Sequence, residues 1–418
     1  MSVGWNELPP EIIQTICAKL INYADYIRFR CVCKIWRSSV PQTPHNLPPQ
    51  LPWLMLPLSH SSTHQSRRAF FNLSNHKTLF LHLPHASHPR RCCGSSHGWL
   101  VLLDDTPEIL LLNPLAGANL HLPPLHTFPN VVSFSFSNIG REYVLRNSHG
   151  HLYTRNLRQM RNSFLRKVVL SSTPSQTNQF MALAILGHTN LAFCKHGDDS
   201  WTFIDKAHNC WEDVVFHNGK FYAVKKGGTL AVLDIQDRFS PRLEIIEMTG
   251  QFQGDMQYLV FSRNELLFVA RYLELEFNET ENGSNLVYKT VGFNVSKMNW
   301  SASQWQKLDS LGDQMLFLGD NSSLSLCASD FPRCFGDCIY YTDDYSESNF
   351  DGAYGRYDLG IYKLWDRSID PLPCYPPNVK SRLGCTQFLN IQAEVSAMSH
   401  EIELKYGQRY EEGLAVTD

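Results

Sequence analysis

A chain of 418 residues, 43% hydrophobic and 18% charged, has the balance of an ordinary soluble globular protein and is long enough for two or three domains. Its formal charge of −3 gives no overall reason to expect nucleic acid or an acidic membrane surface as a partner. Twelve cysteines in so long a chain, behind an N-terminus MSVGWNELPP without basic and apolar leader regions, read as reduced thiols in the nucleus or cytoplasm rather than as a disulfide framework.

The first predicted elements lie within residues 5–37, WNELPPEIIQTICAKLINYADYIRFRCVCKIWR. Pro9 and Pro10 suit a first helical turn, where a missing N–H costs nothing. Asn6 would be the cap, and Glu11 adds negative charge near the helix N-terminus. Ile12, Ile16 and Leu20 recur at four-residue spacing, with Ile13 and Cys17 beside them, as an apolar stripe. Asp25 can cap a second short helix carrying Ile27 and Phe29. Val32, Ile35 and Trp36 fit a third, bounded by Pro41. About 40 residues is the lower edge of what folds alone, so this unit must bury a face against another chain, the rest of this one, or both. On periodicity alone, a helical cap on the following domain is the plainer reading.

The order Leu8-Pro9, Glu11-Ile12-Ile13, Ile16, Leu20, Asp25, Arg28-Phe29-Arg30, Val32-Cys33, Trp36-Arg37 resembles an F-box. In that family three helices bind a SKP1-like adapter, which tethers the chain to a cullin ubiquitin ligase. The resemblance implies that Leu8, Pro9, Ile12, Ile16, Leu20, Val32, Cys33 and Trp36 form the docking surface or its support.

Residues 41–57 hold six prolines and read as a stiff connector, followed by a polar loop over 59–68. From about residue 69 the apolar period changes to that of strands. Residues 97–114 read as strand, Asp-Asp-Thr-Pro turn, strand. Residues 213–237 read as three strands joined at Asn218-Gly219 and Gly227-Gly228, and Asn-Gly is a strong hairpin signal. The strand–turn–strand form recurs over 257–276, 290–308 and 337–365. Meanders joined in order suggest radial repetition, and blades of about 40–50 residues give about seven units, with six possible. A pair of β-sandwiches is the rival architecture. The expected fold is multidomain: a helical unit over 1–40, a Pro-rich linker over 41–68, an all-β propeller over 69–385, and a tail over 386–418.

The segments GSSHGWLVLLDD (94–105), DVVFHNGKFYAVKKGGTL (213–230), YLVFSRNELLFVAR (258–271) and LGDQMLFLGDNSS (311–323) occur in an order that resembles the plant F-box family carrying a KIB-type β-propeller. The resemblance runs from Trp5 to about Tyr362, and residues 386–418 have no counterpart in it.

Charge is unevenly spread. Residues 1–170 hold 17 Lys/Arg against 7 Asp/Glu, and the remainder 20 against 33. In a closed fold the halves meet, so internal complementarity is expected. The alternative is a basic surface, with Arg155, Arg158, Arg161, Arg166 and Lys167 as its best candidates.

Motifs for chemistry are weak. Gly94-Ser95-Ser96-His97-Gly98 fits a nucleophile-elbow pattern, but a strand rather than a helix follows it. Cys92-Cys93 with His97, and Cys334 with Cys338, lack metal-ligand spacing. Asp104-Asp105, Asp198-Asp199 and Asp343-Asp344 could be paired carboxylates of a glycosidase, but adjacent Asp residues between strands are mostly turn formers. No catalytic residue, cofactor or metal is therefore expected. The expected function is that of a substrate-recognition adaptor in a SKP1–cullin–F-box ubiquitin ligase, with an unknown protein substrate held by propeller loops. Tyr345, Phe350 and Tyr354 in the long 343–357 segment are the candidate anchors. The alternative is a capped propeller enzyme or glycan-binding module, which would bury Ile12, Ile16 and Leu20 within the chain and converge carboxylates at the propeller mouth.

Overall fold

The computed structural model describes residues 5, 8–21, 23–41, 51–56, 67–73, 76–83, 90–114, 117–174, 179–187, 190–208, 211–235, 241–248, 254–280, 283–331, 334–344, 358–372, 374 and 387–389. Many strands in it are apolar at every position rather than at every second one. Trp99–Leu103, Ile109–Leu112 and Gln314–Leu318 are buried along their whole length. A strand buried on both faces needs a layer on each side. Here the layers are sheets stacked face to face around an axis.

Three short helices come first: α1 (Pro10–Cys17), α2 (Tyr23–Arg30) and α3 (Lys34–Ser39). Seven sheets follow, each mostly antiparallel. Six form a closed ring. The innermost strands, Gln387–Leu389, Arg91–Ser96, Leu165–Leu170, Trp211–His217, Met256–Ser262 and Ser323–Cys327, lie side by side in that order. The ring closes where Leu54 and Phe71 of the first blade share a core with Met315 and Phe317 of the sixth. The propeller is thus six-bladed. The seventh sheet (Val131–Phe134, Tyr143–Arg146, Leu152–Arg155) is inserted between the second and third blades. Only one of its faces is covered: Tyr143 and Leu145 are buried, while Leu152 and Val132 are exposed. A seven-residue helix, α4 (Leu157–Ser163), leads from it into the third blade, with a capping box between Asn156 and Gln159.

The first blade departs from the expected boundaries. Trp53–Met55, inside the segment read as a linker, pairs with Arg67–Asn72 on one side and with Gln387–Leu389 on the other. All three residues of that short strand are buried, and Pro52 sits just before it, where a missing N–H is tolerated. The strands of the ring therefore start at residue 53 and end at residue 389, outside the expected 69–385.

The hairpin turns follow the sequence signals. Asn218 and Gly219 both take positive φ, 46° and 80°, as a tight two-residue hairpin requires. Gly94 has a different role. It lies on the inner strand of the second blade, where an added Cβ would stand 2.2 Å from the carbonyl oxygen of Val168 on the third.

Near the axis the two halves of the charge distribution meet. Lys167 Nζ lies 2.5 Å from Asp213 Oδ1, and both side chains are buried. Asp213 Oδ1 also accepts from the Val214 amide, and its Oδ2 accepts from the Leu259 amide at 2.8 Å. One carboxylate thus joins the inner strands of blades three, four and five. Arg166 pairs with Glu212 at 3.0 Å, and Asp320 lies 3.9 Å from both Arg91 and Arg166. Arg161 turns to Asp105 at 3.2 Å. Three members of the candidate basic surface are thus neutralised internally, and complementarity is the outcome.

Removing one member of a buried ion pair leaves the other uncompensated, at a cost of about 3–5 kcal/mol. Asp213→Ala should lose that much in urea unfolding. The double variant Lys167→Met/Asp213→Leu should recover at least half of it. Equal stability of the single and double variants would refute the assignment.

Candidate functional site: a helical docking surface and a clamped rim

α1 begins at Pro10 with Pro9 as its N-cap residue, and Glu11 sits in its first turn. Asn6, the expected cap, lies outside the described residues. α2 begins at Tyr23, so Asp25 stands inside its first turn, 2.8 Å from Arg28, rather than at its cap. α3 is capped by Cys33, whose Sγ accepts from the Trp36 amide.

The helices enclose a small core of Ile13, Cys17, Tyr26, Phe29, Trp36 and Val40. The Phe29 and Trp36 rings lie 4.5 Å apart. Arg30 is buried and donates to the carbonyls of Val40 and Pro41 at 2.9 and 2.7 Å. It thus satisfies acceptors left over where α3 ends. Cys31, the next residue, joins the core of the first two blades beside Trp53 and Phe70. Val32 then points outward, 53% exposed.

The eight residues marked by the F-box resemblance divide into three sets. Pro9, Ile12 and Val32 are exposed, Ile12 by 47%. Leu8, Ile16, Leu20 and Cys33 are half-buried against the helical core. Trp36 is buried and supports the surface from behind. Ile21 and Ile35, which the resemblance did not mark, are exposed as well. The helices therefore present an apolar strip that the rest of the described chain leaves uncovered.

A second feature stands at the propeller rim. In blade five the middle strands, Glu265–Thr280 and Gly283–Asn299, are far longer than their neighbours. Pairing with the inner strand ends at Met256 with Arg271, and pairing with the outer strand ends at Val295 with Leu308. Beyond those points the two strands continue as a ribbon of two. The sequence marked strands here, but as separate short ones.

Arg271 stands at the ribbon's root with no exposed surface. Its Nη1 donates to Asp344 Oδ1 at 2.5 Å and to the Thr342 carbonyl, and its Nη2 to Asp358 Oδ2 at 2.8 Å. Its Nε donates to Thr290 Oγ1, on the returning strand. Asp358 also accepts from the Thr290 amide and hydroxyl. Tyr288 donates to Asp343, and Tyr258 to Asp344. One guanidinium thus ties the ribbon to both ends of the 345–357 segment. Tyr345, Phe350 and Tyr354 belong to that segment and lie outside the described residues.

Asp343-Asp344 is accordingly no simple turn former. The available signal was Arg271 itself, a permanent cation within the apolar run LLFVARYL, which must find partners when buried. The other pairs are simpler: Asp198 accepts from the Lys195 amide in a turn, and Asp104 pairs with Arg90.

Ser95 lies buried in the strand Arg91–Ser96, and a hairpin turn and a second strand follow it, so the strand–turn–helix of a nucleophile elbow is not formed. Burial pushes the Cys93 thiol up to about 12, as in an unreactive core cysteine. Among the described residues no group of His, Cys, Asp and Glu is arranged to hold a metal, and no helix is long and apolar enough to cross a membrane.

The fold is a small helical unit mounted on a β-propeller. The chain belongs to the KIB1-4 beta-propeller family, which matches residues 70–363, and an F-box-like pattern matches residues 5–43. It is similar to the F-box protein SKIP23 of Arabidopsis thaliana, 29% identical over 90% of this chain and 93% of that one. It is also similar to the F-box protein At2g17036 of the same plant, at 27% identity over 85% and 90% of the two chains.

Three carboxyl groups facing one guanidinium leave excess buried negative charge. Burial raises Asp343 to about 6 and Asp344 to about 7, against the counteracting pull of Arg271. A carboxyl raised in this way holds its proton in the folded chain while the unfolded chain has already lost it. Its contribution to stability is therefore complete below about pH 4 and is lost as pH rises towards 7. Relative to Asp344→Asn, the wild type should lose at most about 1.4 kcal/mol per pH unit between about pH 4.5 and 6.5. Urea titrations of both proteins across that range check this. Parallel pH profiles would refute it.

Proposed function

We propose that this chain is the substrate-recognition subunit of a SKP1–cullin–F-box ubiquitin ligase. The helices dock a SKP1-like adapter, and through it a cullin, while the propeller holds a target protein at its rim. Ubiquitin transfer belongs to other subunits, and this chain contributes proximity and orientation. Nucleus or cytoplasm is the compartment in which such an assembly acts.

One observation carries the reading. Ile12 and Val32 face solvent, while their neighbours Ile13, Cys17, Phe29 and Trp36 complete a core of their own. Helices that served only to cap the propeller would turn such residues inward. Exposed aliphatic anchors on a preformed helical scaffold suit insertion between the helices of a partner. The carboxylates that a propeller enzyme would present at its mouth are engaged here by Arg271, Tyr258 and Thr290.

Ile12→Glu and the pair Leu8→Ala/Pro9→Ala should abolish capture by a purified SKP1-like adapter. The midpoint of thermal unfolding should stay within about 2 °C for Ile12→Glu, because that side chain leaves no cavity. Trp36→Ala, by contrast, should lose both binding and about 3–5 kcal/mol of local stability. A well-folded wild type that fails to bind the adapter would overturn the proposal.

A further inference from the structure

Between blades four and five, at the outer edge of the propeller, an open groove of about 600 Å³ runs along the surface. Val232 and Ile246 contribute apolar surface to an otherwise mainly polar lining. Tyr222, Val232 and Glu244 occupy one row across three neighbouring strands of blade four, so their side chains share the face turned to blade five. Trp300 supplies the opposite wall from the turn that follows Asn299 in blade five.

The two aromatic walls stand nearly at right angles. The Tyr222 and Trp300 rings are 6.2 Å apart, with 65° between their planes. Each is held from behind. Tyr222 meets the edge of Phe261, which stacks on His217 at 3.9 Å. The turn carrying Trp300 is fixed by Asn299 Oδ1, which accepts from the Ser301 hydroxyl and the Ala302 amide. Trp300 is nevertheless 50% exposed. A rigid, half-uncovered tryptophan across from a tyrosine is an unusual placement for a residue with only a core role.

The rim is acidic. Glu244 stands in the row of Tyr222, Glu247 lies three positions further along, and both are exposed and line the groove. Glu247 Oε2 accepts from the Thr229 hydroxyl at 3.3 Å, and among the described residues Glu244 and Lys220 enter no ion pair. Lys220 lies two residues before Tyr222 on its strand, at the opposite end of the groove from Glu247. Two ring faces set at an angle, with carboxylates at one side, attract a cation through both the ring quadrupoles and charge. Arg242–Ile246 is the outermost strand of its blade's sheet.

We propose that this groove binds a cationic side chain, lysine or arginine, presented by an extended segment of a partner protein. Tyr222 and Trp300 enclose its aliphatic stem and charged head, and Glu244 and Glu247 pair with its charge. The site stands apart from the helical docking strip, and its operation does not depend on how that strip is used.

The test uses the full chain and a fluorescein-labelled peptide, acetyl-Gly-Val-Lys-Val-Gly-amide, with anisotropy as the readout. Companion peptides carry norleucine or glutamate in place of the lysine. The lysine peptide should bind, and the norleucine peptide should bind about tenfold more weakly. Trp300→Ala, and separately Glu244→Gln/Glu247→Gln, should each weaken the lysine peptide by about threefold to thirtyfold. These residues are exposed, so unfolding midpoints should be unchanged, and Ile12→Glu should leave peptide binding intact. Binding should also fall as salt is raised. Equal affinity for norleucine would make the groove a plain apolar cleft and overturn the proposal. So would preference for the glutamate peptide, insensitivity to both variants, or no binding of the lysine peptide at millimolar concentration.

Discussion

The propeller depends on how closely its inner strands can approach the axis, and Asp213 sets that approach for half the ring. A single carboxylate takes the ammonium of Lys167 from one blade, the amide of Val214 on its own strand and the amide of Leu259 from the next. Each of those donors would otherwise be buried without an acceptor. Backbone polar groups at the axis lie where the blades converge and where side chains have least room. A short acidic side chain that reaches two neighbours at once suits that geometry better than any apolar residue. Gly94 applies the same constraint on the other flank, where even a methyl group would collide with the next blade.

The helical unit and the long ribbon are mounted on the blades in different ways. In the helical unit the run Arg30, Cys31, Val32 divides its duties residue by residue. Arg30 fastens the end of α3, Cys31 enters the core of the propeller and Val32 faces outward. Three adjacent positions thereby fix the unit internally, attach it to the blades and leave a surface for a partner. In blade five, Arg271 performs an equivalent attachment. It holds the root of the long ribbon and both flanks of the neighbouring segment through side chains with almost no contact with water. A buried cation with fully satisfied donors is costly to disturb, so the parts it joins keep a fixed relation.

Much of this was legible in the sequence because the relevant signals are local. Asn218-Gly219 announces its hairpin, and the prolines before Glu11 announce α1. The division of Ile12 from Ile13 follows from helical period. What escaped were features decided by distant neighbours. Arg91–Ser96, with the sequence RCCGSS, carries almost none of the residues that mark strands, because space near the axis favours small side chains. The strand Trp53–Met55 is three residues long between prolines, and its pairing partners include Gln387–Leu389, which periodicity could not reveal. The sheet over 131–155 carries exposed residues on all three strands and was not among the strand–turn–strand segments read from the sequence. The expectation of about seven units, with six possible, divided the length of the β region by that of a blade, and part of that length is this sheet, which stands outside the ring. In the rim, Arg271 was visible but its carboxylate partners lay more than seventy positions away.

The first blade is assembled from both ends of the propeller chain, since Trp53–Met55 receives its inner neighbour from Gln387–Leu389. On the ribosome the helices precede the blades, so the helical unit emerges while the ring is still an open arc. Loop closure over so long a stretch is slow compared with the folding of three short helices. The surface carrying Ile12 and Val32 thus precedes the closing of the circle of blades. The order in which the chain is made places the helical unit ahead of the ring.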